Sequence, residues 1–322
     1  MDNGWFERRT YQWSDWRVEF LADLKRHSGT TVSLVIPARD EEATVGGIVA
    51  RVRTELVERV PLVDEVVVMD SDSTDDTAAR AREAGANVHH VADVRPDLGH
   101  HRGKGEAMWK SLFVTSGDVV AFLDADLVEW DTHFVSGLLG PLLTEPGVTL
   151  VKAFYDRVLD RPGGLSTTEG GRVTELVARP TLALRWPELS GVVQPLSGEW
   201  AIRRELFEEL SVPTGYGVEL AVLVDTYLRC GVDAVAQVGM GRRAHHHQGL
   251  HGLGTMATEL LAVADRRIGL DQRADTVQIR QYGTGGTPMT NTVGLTERTP
   301  ATKVGPPTSD AQARGKETVG RC

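Results

Sequence analysis

The chain has 322 residues, two cysteines and a formal net charge of −10, and 41% of its residues are hydrophobic. This composition is ordinary for a globular enzyme with one large domain or two small ones. The negative charge disfavours a general nucleic-acid-binding protein, and two cysteines exclude a disulfide framework. We find no apolar run long enough to span a bilayer and no apolar core of a signal peptide. We therefore expect a cytoplasmic protein with no nucleic-acid partner and no membrane span.

The first half of the chain alternates between predicted strands and amphipathic helices. After a polar, aromatic-bearing leader of residues 1–30, buried strands are predicted at residues 32–36, 65–69, 87–91 and 119–123. The helices are marked by apolar side chains at helical spacing, which are Val45, Ile48, Val49, Val52 and Leu56 in the first helix and Trp109, Leu112 and Phe113 in the last. This alternation predicts an α/β fold with a mostly parallel, Rossmann-like sheet. Ligands bind such sheets at the carboxyl ends of the strands.

The second half of the chain is less regular. Strands are predicted at residues 149–154 and 234–238, and a glycine-rich loop is predicted at residues 160–174. A helix whose apolar face includes Leu220 and Leu228 is expected to end at Gly231. From residue 271 to residue 322 the chain is rich in Gly, Thr and Pro and has little apolar periodicity, so we predict a disordered tail.

Two aspartates, Asp124 and Asp126, directly follow the apolar strand at residues 119–123. Their hard carboxylate oxygens suit a Mg²⁺ or Mn²⁺ ion, with substrate phosphates as further ligands. The alternative is that both aspartates simply cap a turn. Taken with the motifs below, the pair favours a metal-assisted transfer from a phosphorylated donor.

Polar loops also follow the first two predicted strands. Residues 37–42 include Glu41, which could face a nucleobase and ribose or could only begin a helix. Residues 70–77 carry several acids, one of which could bind the base or ribose, although a capped loop explains them equally well. In residues 102–107, Lys104 lies between two glycines at a helix start, an arrangement that suits a phosphate. A flexible glycine loop with a solvated lysine is the alternative, and the spacing excludes a Walker loop.

Two basic segments lie in the second half. Residues 170–175 offer backbone N–H groups, a guanidinium and a hydroxyl, a set that suits a phosphate or carboxylate but also an ordinary helix start. In residues 242–247, two arginines precede three histidines, so an imidazole could complete a metal shell and the arginines could hold an anion. Residues 239–244 match the dinucleotide-binding pattern G-x-G-x-x-A, but no helix-forming run follows at once. A dinucleotide-dependent oxidoreductase is therefore a distant alternative.

These motifs, in this order, resemble the glucosyl-3-phosphoglycerate synthase family. The resemblance runs from about residue 30 to residue 268. The segments that carry it are residues 37–42, 70–77, 102–107, 124–126, 171–180, 194–199, 215–219 and 243–245. The first four occur widely among GT-A glycosyltransferases, and the last four are more specific. The resemblance implies a GT-A fold, a retaining transfer of glucose and a relationship to mannosyl-3-phosphoglycerate synthases.

The resemblance also implies roles for individual residues on the donor side. The residues that would hold the uridine are Pro37, Ala38, Glu41 and Ser71. Lys104 would contact the nucleotide sugar, and Glu219 would lie beside the hydroxyls of the transferred glucose. The residues that would bind or support the metal ion are Asp126 and His245 as ligands and Asp124 beside them. The metal ion would be Mg²⁺ or Mn²⁺.

On the acceptor side, the resemblance implies a site for 3-phosphoglycerate. The residues that would bind this acceptor are Gly171, Arg172, Thr174, Arg243 and His247. Leu196 and Ser197 would line the floor near the transferred sugar. The chain departs from the family at Ala125, where Ser is common, at Arg39 and Asp40, which replace a Leu-Asn pair, and at His247, where an Asn often helps to hold the acceptor. The last departure puts the affinity for the acceptor in doubt.

We therefore expect a transferase that moves glucose from a nucleoside diphosphate glucose, with UDP-glucose favoured, to the 2-hydroxyl of 3-phosphoglycerate. Residues 31–126 would form the nucleotide-sugar half of a single GT-A domain, and residues 127–270 the acceptor-binding half, as a smaller acceptor-binding subdomain attached to the sheet. The resemblance further implies a homodimer. The close alternative is a mannosyl transferase that uses GDP-mannose, and a non-catalytic sugar-nucleotide-binding protein is a third possibility.

Overall fold

The computed structural model describes residues 4–158, 171–244, 249–270 and 274–306. Its strands are β1 (Thr10–Gln12), β2 (Val32–Ala38), β3 (Glu65–Asp70), β4 (Asn87–His90), β5 (Val119–Phe122), β6 (Leu150–Val158), β7 (Trp200–Arg203), β8 (Val212–Pro213), β9 (Val235–Ala244), β10 (Thr276–Tyr282), β11 (Pro288–Gly294) and β12 (Glu297–Arg298). Its helices are α1 (Trp5–Arg9), α2 (Val18–Ser28), α3 (Val45–Val52), α4 (Thr77–Glu83), α5 (Lys104–Ser111), α6 (His133–Thr144), α7 (Arg179–Arg185), α8 (Arg204–Glu208), α9 (Val218–Cys230) and α10 (Leu250–Arg267). The π-helical turns Arg53–Arg59 and Thr174–Ala178 extend α3 and precede α7.

Eight strands form the central sheet in the order β1-β9-β6-β7-β5-β2-β3-β4. All neighbours are parallel except β7, which runs antiparallel to both β5 and β6. The prediction of an α/β fold with a mostly parallel sheet is confirmed. The predicted strands 149–154 and 234–238 continue further than expected, to Val158 in β6 and to Ala244 in β9.

The sheet is buried on both faces, which explains why its strands are nearly continuous apolar runs. In β5, Val120 and Phe122 face one core cluster together with Trp109 and Trp200. Ala121, between them, faces the second cluster on the opposite side of the sheet. Alternate residues of one strand thus supply both layers of the core, as the two-residue period of a strand requires.

The N-terminal leader packs on the body. The indole Nε1 of Trp5 donates to the carbonyls of Val232 (2.9 Å) and Val235 (3.1 Å), and the side chain is buried. Strand β1 then joins the central sheet beside β9, with Tyr11 opposite Val238. The apolar indole is covered in this way, and the leader contributes the edge strand of the sheet.

The prediction of a disordered tail is wrong for residues 274–306. Strands β10 and β11 form an antiparallel hairpin, and β12 pairs with β8. The sequence pattern failed because this hairpin is largely exposed on both faces, so its strands lack the apolar alternation that marks a half-buried strand. Within the described residues, no helix combines the length and the apolar character needed to cross a membrane.

Candidate active site

The carboxyl ends of β2, β3 and β5 lie side by side at one edge of the sheet. Ala38, the last residue of β2, is opposite Asp70, the last residue of β3. Ser71 follows directly, and its backbone N–H donates to the carbonyl of Ala38 at 2.9 Å. The residues predicted to hold a nucleoside are thereby brought together with the start of the 124–126 segment, because β5 is the other neighbour of β2.

The two loops that follow β2 and β3 are joined by hydrogen bonds between side chains and backbone. Oδ1 of Asp40 accepts from the backbone N–H of Thr74 at 2.7 Å. The backbone N–H of Glu41 donates to Oγ1 of Thr77 at 2.7 Å, and Oδ2 of Asp75 accepts from the backbone of Glu42 at 3.1 Å. Asp75 therefore caps backbone N–H groups of the loop, as the capped-loop alternative for residues 70–77 predicts.

Three carboxylates lie close together where these loops meet the end of β5. Burial raises the pKa of Glu41, and the negative charges of Asp126 and Asp124 raise it further. Oγ1 of Thr44 donates to the carbonyl of Ala125 at 2.6 Å and so ties the helix start after Glu41 to the aspartate segment. The carboxylates of Asp124 and Asp126 are thus near enough to Glu41 to raise its pKa through their negative charge.

The predicted metal ligands are only partly within the described residues. Asp126 is exposed in the turn after β5. His245 lies outside the described residues, directly after the last residue of β9. Within the described ranges, no three His, Cys, Asp or Glu side chains form a group that could hold a metal ion. A site built on Asp126 therefore needs ligands from the substrate or from His245.

Lys104 is the first residue of α5 and points into a cluster of acids. Its Nζ lies 2.5 Å from Oδ1 of Asp124 and 3.0 Å from Oε1 of Glu219. Burial alone would lower the pKa of Lys104, but the carboxylates of Asp124 and Glu219 outweigh burial and raise it. The alternative of a solvated lysine is wrong, because the ammonium is held in place and keeps its proton at any physiological pH.

The glycines on both sides of Lys104 allow another segment of the backbone to pack closely against the start of α5. A Cβ atom at Gly103 would lie 2.9 Å from the Cα of Gly215, and Gly103 has a φ of 137°. The backbone N–H of Gly105 donates to the carbonyl of Gly215 at 3.3 Å. From the sequence, these glycines are expected to let the backbone approach a ligand closely. The observed packing brings residues 213–215, which precede Glu219, against the start of α5.

Glu219 is in the first turn of α9 and is largely buried. The loop before it is fixed by Glu259 of α10, whose Oε2 accepts from the backbone N–H of Tyr216 at 2.5 Å. Burial raises the pKa of Glu259, and the backbone bonds to Tyr216 and Gly217 oppose that shift. The position of the Glu219 carboxylate is therefore set from two sides, by Lys104 and by α10.

The floor of the site contains three functional candidates that the sequence interpretation missed, which are Lys152, Gly198 and Glu199. Nζ of Lys152 donates to the carbonyl of Ser197 at 2.8 Å, and Oγ of Ser197 donates to Oε2 of buried Glu199 at 3.2 Å. A Cβ atom at Gly198 would lie 2.5 Å from Nζ of Lys104, so a larger residue here would require the Lys104–Asp124 pair to shift. Leu196 is partly buried against the core at the start of this segment.

Lys152 was recognisable in the sequence as a charge inside an apolar strand. The side chain is buried in β6, and its ammonium lies 5.9 Å from the centre of the Trp200 ring. Burial lowers the pKa of Lys152 from its ordinary value of 10.5 to about 7, although the charge of Glu219 opposes the shift. The sequence alone assigns no role to this residue.

The predicted acceptor residues lie in two places. Gly171, with a φ of 85°, begins the turn before α7, and its carbonyl accepts from the backbone N–H of Glu175 at 2.9 Å. In this turn Arg172 is exposed and Thr174 is buried. Residue Arg243 lies in β9, paired with residue 157 of β6, and His247 lies outside the described residues.

The sequence was then compared with known proteins. Residues 33–211 match the family described as Glycosyl transferase family 2. The glucosyl-3-phosphoglycerate synthase of Mycolicibacterium smegmatis is 44% identical over 307 residues, which cover 95% of this chain and 100% of that protein. That of Mycobacterium tuberculosis is 46% identical over 280 residues, which cover 86% and 84% of the two chains. The chain belongs to the glucosyl-3-phosphoglycerate synthase family.

Solved structures agree with this assignment. The M. tuberculosis synthase in complex with Mn²⁺, UDP and phosphoglyceric acid has a TM-score of 0.79 and 44% identity, over 89% of this chain and 95% of that one. The mannosyl-3-phosphoglycerate synthase of Rubrobacter xylanophilus has a TM-score of 0.84 and 37% identity, over 94% and 99%. The predicted GT-A fold is confirmed. The protein is a glycosyltransferase, so the oxidoreductase alternative is wrong.

The relatives also bear on the cofactor. Structures of the M. tuberculosis synthase contain Mn²⁺ or Mg²⁺ together with UDP. The prediction of Mg²⁺ or Mn²⁺ as cofactor is confirmed for this family, and the exposed carboxylate of Asp126 offers the oxygen ligand that either ion prefers.

Proposed function

We propose that this protein transfers glucose from UDP-glucose to the 2-hydroxyl of 3-phosphoglycerate, with retention of the α-configuration, and releases UDP and glucosyl-3-phosphoglycerate. The observation that carries the proposal is the contact of Lys104 with both Asp124 and Glu219 at the edge of the sheet where β2, β3 and β5 end. This contact brings Lys104 and Asp124, which are predicted donor residues, to the carboxylate of Glu219, which can accept hydrogen bonds from sugar hydroxyls. Relatives with 44–46% identity carry the corresponding enzyme name.

The donor nucleoside binds where β2 and β3 end. Pro37, Ala38 and Ser71 present backbone and small side chains to the base, and Glu41 accepts from the ribose. The pairing of β2 with β3 supports a shared site for these residues. Pro37 and Ala38 are opposite Met69 and Asp70, the two residues immediately before Ser71. The loops behind them are braced by Asp40 and Thr77, so the pocket is formed before the donor arrives.

The departing diphosphate is stabilised by positive charge. Asp126 and His245 would hold the Mg²⁺ or Mn²⁺ ion, which when bound neutralises charge on the diphosphate. Lys104 adds a fixed ammonium, which remains protonated because Asp124 and Glu219 raise its pKa. A preorganised cation stabilises the charge that develops as the glycosidic bond breaks and costs no rearrangement at that moment.

The reaction proceeds on one face of the sugar. The 2-hydroxyl oxygen of 3-phosphoglycerate bonds to the anomeric carbon as the bond from that carbon to the diphosphate oxygen breaks. The leaving diphosphate receives the hydroxyl proton, so no side chain acts as nucleophile or general base. Glu219 orients the sugar hydroxyls, and Leu196 and Ser197 form the floor beneath the transferred glucose.

The acceptor is held by a separate set of residues. Gly171 and Thr174 offer a backbone N–H and a hydroxyl, and Arg172 offers a guanidinium that can bind a phosphate or carboxylate through two hydrogen bonds. Arg243 and His247 complete this acceptor site. The positive φ of Gly171 supports the proposal, because it opens the first turn before α7 towards an anion.

The experiment that tests the function is a panel of donors with 3-phosphoglycerate, with and without EDTA. UDP-glucose should be the best donor, and EDTA should abolish transfer. The mannosyl alternative has one specific support, the TM-score of 0.84 with the Rubrobacter enzyme, so GDP-mannose belongs in the panel. Faster transfer from GDP-mannose than from UDP-glucose would overturn the glucose assignment.

We also propose a homodimer and a cytoplasmic location. The hairpin of β10 and β11 exposes Val277, Tyr282 and Met289, apolar side chains that a second copy could cover. Both proposed substrates are multiply charged and do not cross a membrane unaided, so the enzyme needs to act where they are made. Light scattering coupled to gel filtration should give twice the chain mass of 35.1 kDa. A monomer at micromolar concentration would refute the dimer.

A further inference from the structure

The C-terminal residues 296–305, here called the strap, contact both elements that carry the Lys104–Glu219 pair. At one end of the strap, the carbonyl of Thr296 accepts from the backbone N–H of Thr214 at 3.0 Å. Strand β12 continues this contact by pairing with β8, which leads into the loop before Glu219. The strap is therefore fastened to the segment that delivers the Glu219 carboxylate.

The other fastening is an ion pair with α5. Nε of Arg298 lies 2.7 Å from Oε2 of Glu106, and its Nη2 lies 2.6 Å from Oε1. Glu106 is completely buried, two residues beyond Lys104, and the Arg298 side chain is 11% exposed. A fork of two parallel bonds fixes direction as well as distance. The guanidinium also lies 5.0 Å from the centre of the Trp109 ring.

The same strap holds the loop that leads to Lys104. Nη1 of Arg298 donates to the carbonyl of Leu98 at 2.7 Å, and Nη2 of Arg95 donates to the carbonyl of Gly305 at 2.9 Å. Indole Nε1 of Trp109 donates to the carbonyl of Thr299 at 3.0 Å. Through these bonds the strap, which is not part of the central sheet, holds α5 and the loop that precedes it.

We propose that Arg298 is a positioning residue for Lys104, acting through Glu106, and that the strap is an integral part of the active site. The ammonium of Lys104 contacts Glu219 at 3.0 Å, and the strap is bonded to the chain on both sides of that contact, in addition to the direct backbone bonds from Gly105 and Glu106 to residues 214–215. A small displacement of a group that stabilises the leaving diphosphate costs much of the rate. The inference rests on the proposed transfer reaction.

The test compares Arg298→Met and Arg298→Lys with Arg280→Met, which removes an exposed arginine from the hairpin. In Arg298→Met, kcat should fall roughly tenfold to a hundredfold, while the KM for 3-phosphoglycerate should stay near that of the wild type. Arg298→Lys should recover part of the loss, because it keeps the charge but not the fork. Arg280→Met should behave as the wild type.

A double variant separates positioning from mere stability. Arg298→Met alone leaves the buried carboxylate of Glu106 with the backbone N–H of His101 at 3.3 Å and Nζ of Lys110 at 3.6 Å, and it is expected to lower the melting temperature because the paired guanidinium is lost. Adding Glu106→Gln removes that buried charge and should restore much of the melting temperature, but kcat should remain low because the link to the strap is still broken. A double variant with wild-type kcat would overturn the proposal.

Calorimetric binding of UDP in the presence of Mg²⁺ gives a readout that needs no transfer reaction. Arg298→Met should bind UDP several-fold more weakly than the wild type if Lys104 is displaced. Unchanged UDP affinity together with unchanged kcat would refute the positioning role. Absence of glucose transfer by the wild type would instead refute the proposed function, and UDP binding would still decide whether Arg298 positions Lys104.

Discussion

The ammonium of Lys104 lies 2.5 Å from Oδ1 of Asp124 and joins the first residue of α5 to the segment that ends β5. Asp124 therefore lies between a positive charge, the ammonium of Lys104, and a negative charge, the exposed carboxylate of Asp126. In the proposed site, Asp124 is paired with Lys104, and Asp126 is the carboxylate that binds the metal ion. The following predictions test this division of roles and the surroundings of the pair.

Asp126→Ala should abolish most turnover with little loss of stability, because the side chain is the proposed metal ligand and is exposed. Excess EDTA should have the same effect on the wild type. Steady-state kinetics and a thermal melt measure the two quantities. Glu129→Ala, which removes another exposed carboxylate from the same turn region, is the control and should remain active. Full activity of Asp126→Ala, or of the wild type in EDTA, would remove the case for a metal ion.

Arg172→Ala should raise the KM for 3-phosphoglycerate far more than the KM for UDP-glucose. Loss of one charge-assisted hydrogen bond costs about 1.5–3 kcal/mol, which corresponds to roughly a ten- to hundredfold weaker interaction. Arg185→Ala, which removes an exposed arginine at the end of α7, should leave both constants unchanged. If the donor KM changed instead, Arg172 would belong to the donor site.

Gly198→Ala should impair catalysis through steric displacement of Lys104. The new Cβ would lie 2.5 Å from Nζ, closer than non-bonded atoms tolerate, so the ion pair with Asp124 has to shift. We expect kcat to fall roughly tenfold or more. Gly147→Ala is the matched control, since its Cβ would meet Arg9 at an ordinary 3.7 Å. Equal kcat values for the two variants would show that the pair tolerates displacement.

The glucosyl product should keep the α-configuration of the donor, because same-face attack requires no carboxylate opposite the leaving group. Oε1 of Glu219 lies 3.0 Å from Nζ of Lys104, and in the proposed mechanism Glu219 orients the sugar hydroxyls, so Glu219→Gln should weaken both donor binding and turnover. The anomeric coupling constant in the NMR spectrum of freshly formed product measures the configuration. A β-linked product would refute retention and would make Glu219 a candidate general base.

Lys152 should make the stability of the protein depend on pH. Its folded-state pKa of about 7 lies below its ordinary value of 10.5, so the unfolded chain binds more protons between those two values. The free energy of unfolding should therefore rise with pH from about 7 upwards through this group. Lys152→Met should remove that part of the rise, as chemical denaturation at pH 7 and pH 9 can measure. Lys303→Met, at an exposed lysine, should keep the wild-type slope, and equal slopes for Lys152→Met and the wild type would contradict the prediction.

The sequence by itself determined the local elements and the order of the motifs. Alternating apolar runs and helical faces defined the parallel sheet, because the central strands β2, β3 and β5 are buried on both sides and the helices on one. Asp126 and Lys104 were recognisable because each follows or begins a predicted element, and the ends of parallel strands gather at one edge. In the sequence, Lys152 is recognisable only as a charged residue within an apolar strand. The sequence around it does not indicate which residue accepts its hydrogen bond.

Tertiary structure decided which groups meet across the fold. That Lys104 contacts Glu219, that Gly198 leaves room for the Lys104–Asp124 pair, and that Arg298 reaches Glu106 depend on packing between elements far apart in the chain. The hairpin and strap at 274–306 escaped prediction for the same reason. The hairpin strands β10 and β11 pair with each other, and the strap is held by pairing with β8 and by a buried ion pair with α5. None of these interactions leaves an apolar periodicity in the sequence of residues 274–306.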